Sequence, residues 1–141
     1  YQILFRPTFD ESSRITFVEH SGGALVKYVL FNSNSGDQPL DTSYYISHHI
    51  SKTDYIVMLH EVFRKIGSAA QNHRNGIRDG IWMEFSEFHN GDTTTVQLSN
   101  PQKTVDSLSV TMTGNALQLL RKFTSDTLIL QHLRIVEKYI Q

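Results

Sequence analysis

The chain contains no cysteine. That removes disulfides, thiolate catalysis and cysteine-ligated zinc or iron–sulfur centres together. It leaves the compartment open, because cysteine-free chains occur on both sides of a membrane. Charge is sparse and balanced: 13 Lys and Arg face 14 Asp and Glu, for a net charge of −1. Basic residues are scattered without a run, so nothing electrostatic points to nucleic acid. No apolar stretch approaches the roughly 20 residues of a membrane span. Internal repeats and low-complexity segments are missing too. What remains is an ordinary globular composition, 39% hydrophobic over 141 residues. That length is one domain, spanning 1–141, able to bury roughly two thirds of its unfolded surface without a staple. The chain starts at Tyr1 rather than Met. Removal of an upstream export signal would account for this, as would trimming or disordered leading residues, and the first favours an extracytoplasmic location over a cytoplasmic one.

The most informative local signal is Asn90-Gly91. This pair suits a type I′ hairpin, in which both central residues need positive φ. A two-residue loop sets His89 opposite Asp92, and a register follows for the whole ladder. Phe85 meets Val96 and Met83 meets Leu98 on one face. Glu84 meets Gln97, Ser86 meets Thr95 and Phe88 meets Thr93 on the other. Apolar residues fall together without adjustment, so the register is self-consistent.

The first half of the chain reads as strands. Gln2–Arg6 is β-rich and ends at Pro7. In Arg14–His20, Ile15 and Phe17 share one face, with Arg14, Thr16 and Val18 on the other. Gly22-Gly23 offers a second two-residue turn, which pairs Phe17 with Tyr28 and Ile15 with Leu30. A polar loop covers residues 32–39, and Thr42–Ile50 alternates again, with Tyr44, Ile46, His48 and Ile50 against Tyr45, Ser47 and His49. The period then changes. Ser51-Lys52-Thr53-Asp54 has the form of a helix start, and Ile56, Leu59, Phe63 and Ile66 follow as a helical stripe ending near Gly67. A polar connection covers 68–80. Past Pro101 the pattern weakens: Val105–Met112 reads as an edge strand or an irregular crossing. Asn115–Phe123 carries Leu117, Leu120 and Phe123 at helical spacing. Ser125-Asp126 can cap a last helix with Ile129, Leu133, Val136 and Ile140 inward. The expected fold is α+β: an antiparallel sheet of about six strands with helices packed on one face, in the order β-β-β-β-α-β-β-α-α.

Chemistry is harder to find. Seven histidines are present, at positions 20, 48, 49, 60, 73, 89 and 132, but no pair has the spacing of converging metal ligands. His48 and His49 are adjacent on a strand and point to opposite faces. Glu84 and Glu87 are likewise split between faces by an odd separation. Gly-x-Ser-x-Gly, Ser-x-x-Lys, His-Glu-x-x-His and the phosphate-binding Gly-x-x-x-x-Gly-Lys motif are all missing. No catalytic residue, metal or cofactor is expected from motifs. The aromatic residues carry more. If helices cover the Met83/Phe85 face, Trp82 and Phe88 look outward, and Tyr45 does so beside Tyr44. Exposed Trp and Tyr on a sheet are common anchors of protein–protein contacts. The candidate partner-binding residues are therefore Trp82, Phe88, Tyr44 and Tyr45, with Glu84, Glu87, His89 and Asp92 supplying polar contacts around the hairpin.

Arg6-Pro7-Thr8-Phe9 with Arg14-Ile15, and Asp79-Gly80-Ile81-Trp82 leading to Leu98-Ser99-Asn100-Pro101, resemble a group of small, uncharacterised bacterial α+β proteins. These carry a helix before an Asp-Gly-x-x-Trp-like hairpin whose second strand ends in Ser-x-Pro. The chain departs from them by a long insert between Gln102 and Thr113. Motif-poor bacterial domains of this kind often act as immunity proteins, so the resemblance implies a non-enzymatic protein that neutralises a cognate toxin or effector. Two alternatives stand beside it. One is an extracytoplasmic domain binding a small ligand or cell-envelope material in an apolar cavity. The other is a hydrolase with dispersed residues, in which His48, His49 or His60 shares a cleft with a carboxylate.

Overall fold

A computed structural model describes residues 1–7, 10–31, 42–55, 80–101 and 106–140, with the backbone alone for 42–45. Among these residues the elements run β1 (Gln2–Pro7), β2 (Ser13–His20), β3 (Gly23–Phe31), β4 (Thr42–Ser51), α1 (Lys52–Tyr55), β5 (Ile81–His89), β6 (Asp92–Ser99), α2 (Ser107–Phe123) and α3 (Thr127–Tyr139). The strands form one six-stranded sheet in the order β4-β3-β2-β1-β5-β6. Every neighbouring pair is antiparallel. The fold is α+β, with the element order that the patterning implies. The stripe of Ile56, Leu59, Phe63 and Ile66, the polar loop at 32–39 and the connection at 68–79 lie outside the described residues.

Pleat alternation builds the core. Ile3 pairs with Ile15 on one side and Phe85 on the other, Ile15 with Tyr28, and Phe85 with Val96. This gives a continuous apolar row across five strands, and all five residues are buried. Adjacent rows add Phe5, Met83 and Leu98, and Phe17 with Val26. Against this face pack Met112, Ala116, Leu117 and Leu120 of α2 and Ile129, Leu133 and Val136 of α3. Spacings of three and four residues place each set on one side of its helix.

Helix boundaries have local causes. The Ser51 hydroxyl oxygen accepts from Asp54 N–H at 3.1 Å and donates to Asp54 Oδ2 at 2.7 Å, so Ser51 opens α1 as its pattern implies. Asp126 Oδ1 accepts from Leu128 N–H at 2.9 Å and Ile129 N–H at 3.2 Å, capping α3. Arg121 and Glu137 then tie α2 to α3 by a bidentate ion pair, with bonds of 3.0 and 2.6 Å.

Two expectations are corrected. Of the segment 105–112, the stretch from Ser107 to Met112 is helix and not strand, since α2 begins at Ser107 and runs unbroken to Phe123, while Val105 lies outside the described residues. Val110, Thr111, Thr113 and Gly114 are poor helix formers, which hides the helix locally. Burial of Ser109, Val110, Met112 and Thr113 overrides that preference. The β2–β3 register also differs. His20 pairs with Gly23, so the turn is Ser21-Gly22, and Phe17 faces Val26 while Ile15 faces Tyr28. The shift moves pairing by two residues, so every side chain keeps its face. Gly23 joins the strand with φ of +147°, and a Cβ there would collide with the Ile50 carbonyl oxygen of β4. Only glycine allows that approach.

Candidate partner-binding face

The β5–β6 hairpin has the register its turn dictates, from Trp82 opposite Ser99 to His89 opposite Asp92. Asn90 and Gly91 take φ of 51° and 91°, the positive values of a type I′ turn. Met83, Phe85, Val96 and Leu98 are therefore buried under the helices, and the alternate residues point to the other face. On that face Trp82 is 45% exposed and Phe88 is 55% exposed. Both are too large to leave in water without consequence, which makes them the informative residues here.

Pairing places the rest of the face. Trp82 lies beside Arg6, Glu84 beside Leu4, and Ser86 beside Gln2. The Gln97 amide donates to Glu84 Oε2 at 3.1 Å, and the Ser86 hydroxyl lies 3.2 Å from that of Thr95. This polar band holds the strands together between the two aromatics. Six residues along a strand separate Trp82 from Phe88 by roughly 20 Å, so they are two anchor points and not one cluster. Val18, 46% exposed, lies on the same face one row beyond Thr16, as Phe88 lies one row beyond Ser86. Its position is legible in the β2 alternation, although Val18 is not among the expected contact residues. The face is not open throughout, because Leu4, Val29 and Phe31 form a buried cluster there. The Arg14 guanidinium carbon sits 5.3 Å from the Phe31 ring centroid.

The other expected contact residues divide. His89 and Asp92 are exposed at the hairpin tip, where the Asn90 amide donates to His89 Nε2 at 3.2 Å. Glu84 shares the aromatic face. Glu87 does not: it pairs with Thr94 on the helix-bearing face and, like Glu19, adds to the negative field at Tyr55. Its odd separation from Glu84 is the reason. Tyr44 and Tyr45 lie in β4 opposite Leu30 and Val29, and their side chains are outside the described residues.

The structure also places five of the histidines. His132 of α3 is buried, with Nδ1 2.7 Å from the Tyr28 hydroxyl and Nε2 2.7 Å from the Glu11 carbonyl oxygen. A carbonyl only accepts, so Nε2 carries the proton and Nδ1 accepts from Tyr28. Burial lowers the His132 pKa and raises that of Tyr28. This pair is sealed in the core and joins α3 to the sheet. His48 stacks on Phe123 of α2 with centroids 3.7 Å apart. His49 and His20 meet on the exposed surface, with Nδ1 and Nε2 3.3 Å apart. They are 29 residues apart in sequence, so no spacing rule reveals the contact. His60 and His73 lie outside the described residues.

Among the described residues, no group of three or more His, Asp or Glu side chains could hold a metal ion. No helix there is long and apolar enough to cross a membrane. Among the described residues, the class the geometry defines is an α+β domain with one helix-covered and one partly open sheet face. No family model, curated protein or solved structure matches the chain.

Proposed function

We propose that the chain is a non-enzymatic protein-binding domain whose open sheet face docks a protein partner, and that it acts as an immunity protein neutralising a cognate toxin or effector. The observation that carries this reading is the exposure of Trp82 and Phe88 on a face whose backbone is held by a regular ladder. Aromatic side chains on a rigid strand offer large contact area at small entropic cost, which suits them as binding hot spots. Hydrogen-bonding groups of Glu84, Gln97, Thr93 and Thr95 between and beside them fit the polar surround of such anchors. The immunity role adds the resemblance of the two short motifs and the missing catalytic patterns.

The test is co-expression with the product of the adjacent reading frame, read as protection of the host and as a copurifying complex. The wild-type chain protects, and Trp82→Ala and Phe88→Ala weaken complex formation by at least about thirtyfold each. Protection unaffected by either variant, or a chain that remains a free monomer beside that product, overturns the proposal.

A further inference from the structure

His20 closes β2 and His49 lies in β4, with β3 between them. Both belong to the exposed sheet face, and their rings meet edge to face with centroids 5.3 Å apart and an interplanar angle of 71°. Gly23, which pairs with His20, has no side chain to stand between the strands at this end. We infer that His20 Nε2 and His49 Nδ1 form a two-point binding site for a divalent transition metal of the zinc type.

Two observations and the ligand chemistry carry the inference. The two nitrogens are 3.3 Å apart. Two nitrogens each about 2.0–2.1 Å from a tetrahedral ion stand about 3.3–3.4 Å apart, so the pair already has the span of a chelate. Both rings are exposed, so an ion has free entry and water completes its coordination. Imidazole pairs select Zn²⁺, Cu²⁺ or Ni²⁺ and not the oxygen-seeking Mg²⁺ or Ca²⁺.

The hydrogen bonds around His20 also define what binding changes. Gly22 N–H donates to His20 Nδ1 at 3.2 Å, so the ring proton is on Nε2 and points at His49 Nδ1. An ion takes that proton's place. Nε2 becomes the ligand, Nδ1 takes up a proton, and the Gly22 amide turns to solvent. The exchange costs one exposed hydrogen bond, which water replaces, and it leaves a signature at a residue that never touches the metal.

Titration of the full chain with Zn²⁺, followed by calorimetry and amide and imidazole NMR, tests the site. One equivalent binds, and the His20 ring, the His49 ring and the Gly22 amide shift together, whereas Mg²⁺ moves none of them. His20→Ala and His49→Ala each weaken binding by about a hundredfold or more, the loss expected when one of two linked contacts is removed. His20→Gln and His49→Gln keep a polar side chain and give the same loss, which guards against a folding defect. His89→Ala binds as the wild type does. Shifts centred on other histidines, a Gly22 amide that stays in place, or equal affinity in the His20 and His49 variants overturns the inference.

Discussion

Tyr28→Phe deletes one oxygen atom from the protein, and the structure sets what that atom is worth. Tyr28 is fully buried and its hydroxyl lies 2.7 Å from His132 Nδ1. Because the Glu11 carbonyl requires a proton on Nε2, Nδ1 is an acceptor, and among the described residues Tyr28 is the one that satisfies it. Removing the hydroxyl strands it away from water, at a cost of about 1–3 kcal/mol. Urea unfolding at neutral pH measures this as a lower midpoint with an unchanged slope. His132→Leu tests the same bond from the other side, and the double variant should lose less than the sum of the two. The pair also couples stability to pH. Burial holds the folded-state pKa of His132 below its ordinary value of 6.5. Below that value the unfolded chain binds more protons at this position than the folded one. The contribution is therefore complete above 6.5 and is lost as pH falls toward the folded-state pKa, at up to about 1.4 kcal/mol per pH unit. His132→Leu removes that part of the slope. A Tyr28→Phe variant within about 0.5 kcal/mol of wild type, or identical acid slopes for wild type and His132→Leu, would refute the reasoning.

Two further substitutions separate backbone strain from lost contacts. Gly91 has φ of +91° and open space where a Cβ would sit, so Gly91→Ala meets strain alone, about 1–2 kcal/mol by thermal or chemical unfolding. Gly80 has φ of +150°, and a Cβ there runs into the Asn100 side chain, whose oxygen accepts from Ile81 N–H at 2.7 Å. Gly80→Ala should therefore cost more than about 2 kcal/mol, exceeding Gly91→Ala in the same assay. Asp126→Ala removes both cap bonds of α3 and should cost about 1 kcal/mol, while Asp126→Asn retains most of the stability.

The elements that can be read in advance share one property: their cause is local. Asn90-Gly91 determines its own turn, and the two-residue period then carries the register outward to Trp82 and Ser99. Asp126 and the stripe of Ile129, Leu133 and Val136 define α3 from within a single short stretch of chain. The elements that cannot be read depend on distant partners. Ser21-Gly22 and Gly22-Gly23 are both acceptable turns, and the one the fold uses leaves Gly23 in the strand, where the Ile50 carbonyl oxygen of another strand occupies the place of a Cβ. The start of α2 at Ser107 is concealed by β-branched residues and a glycine, and what holds the helix there is the tertiary burial of Ser109, Val110, Met112 and Thr113.

The same division runs through the candidate sites. Alternation within single strands is sufficient to place Trp82 and Phe88 on one face, Met83 and Phe85 on the other, and Glu87 away from Glu84, because pleating leaves a strand residue only two directions. Whether a face stays open is not a property of one strand. Trp82 remains 45% exposed while Leu4, on the same face and in the neighbouring strand, is 8% exposed. Nor does any chain interval contain the meeting of His20 with His49, or of Tyr28 with His132, 104 residues apart. Those contacts exist because strand order and helix docking bring remote positions within a few ångströms, and that is where proton position, buried polarity and metal-binding capacity arise.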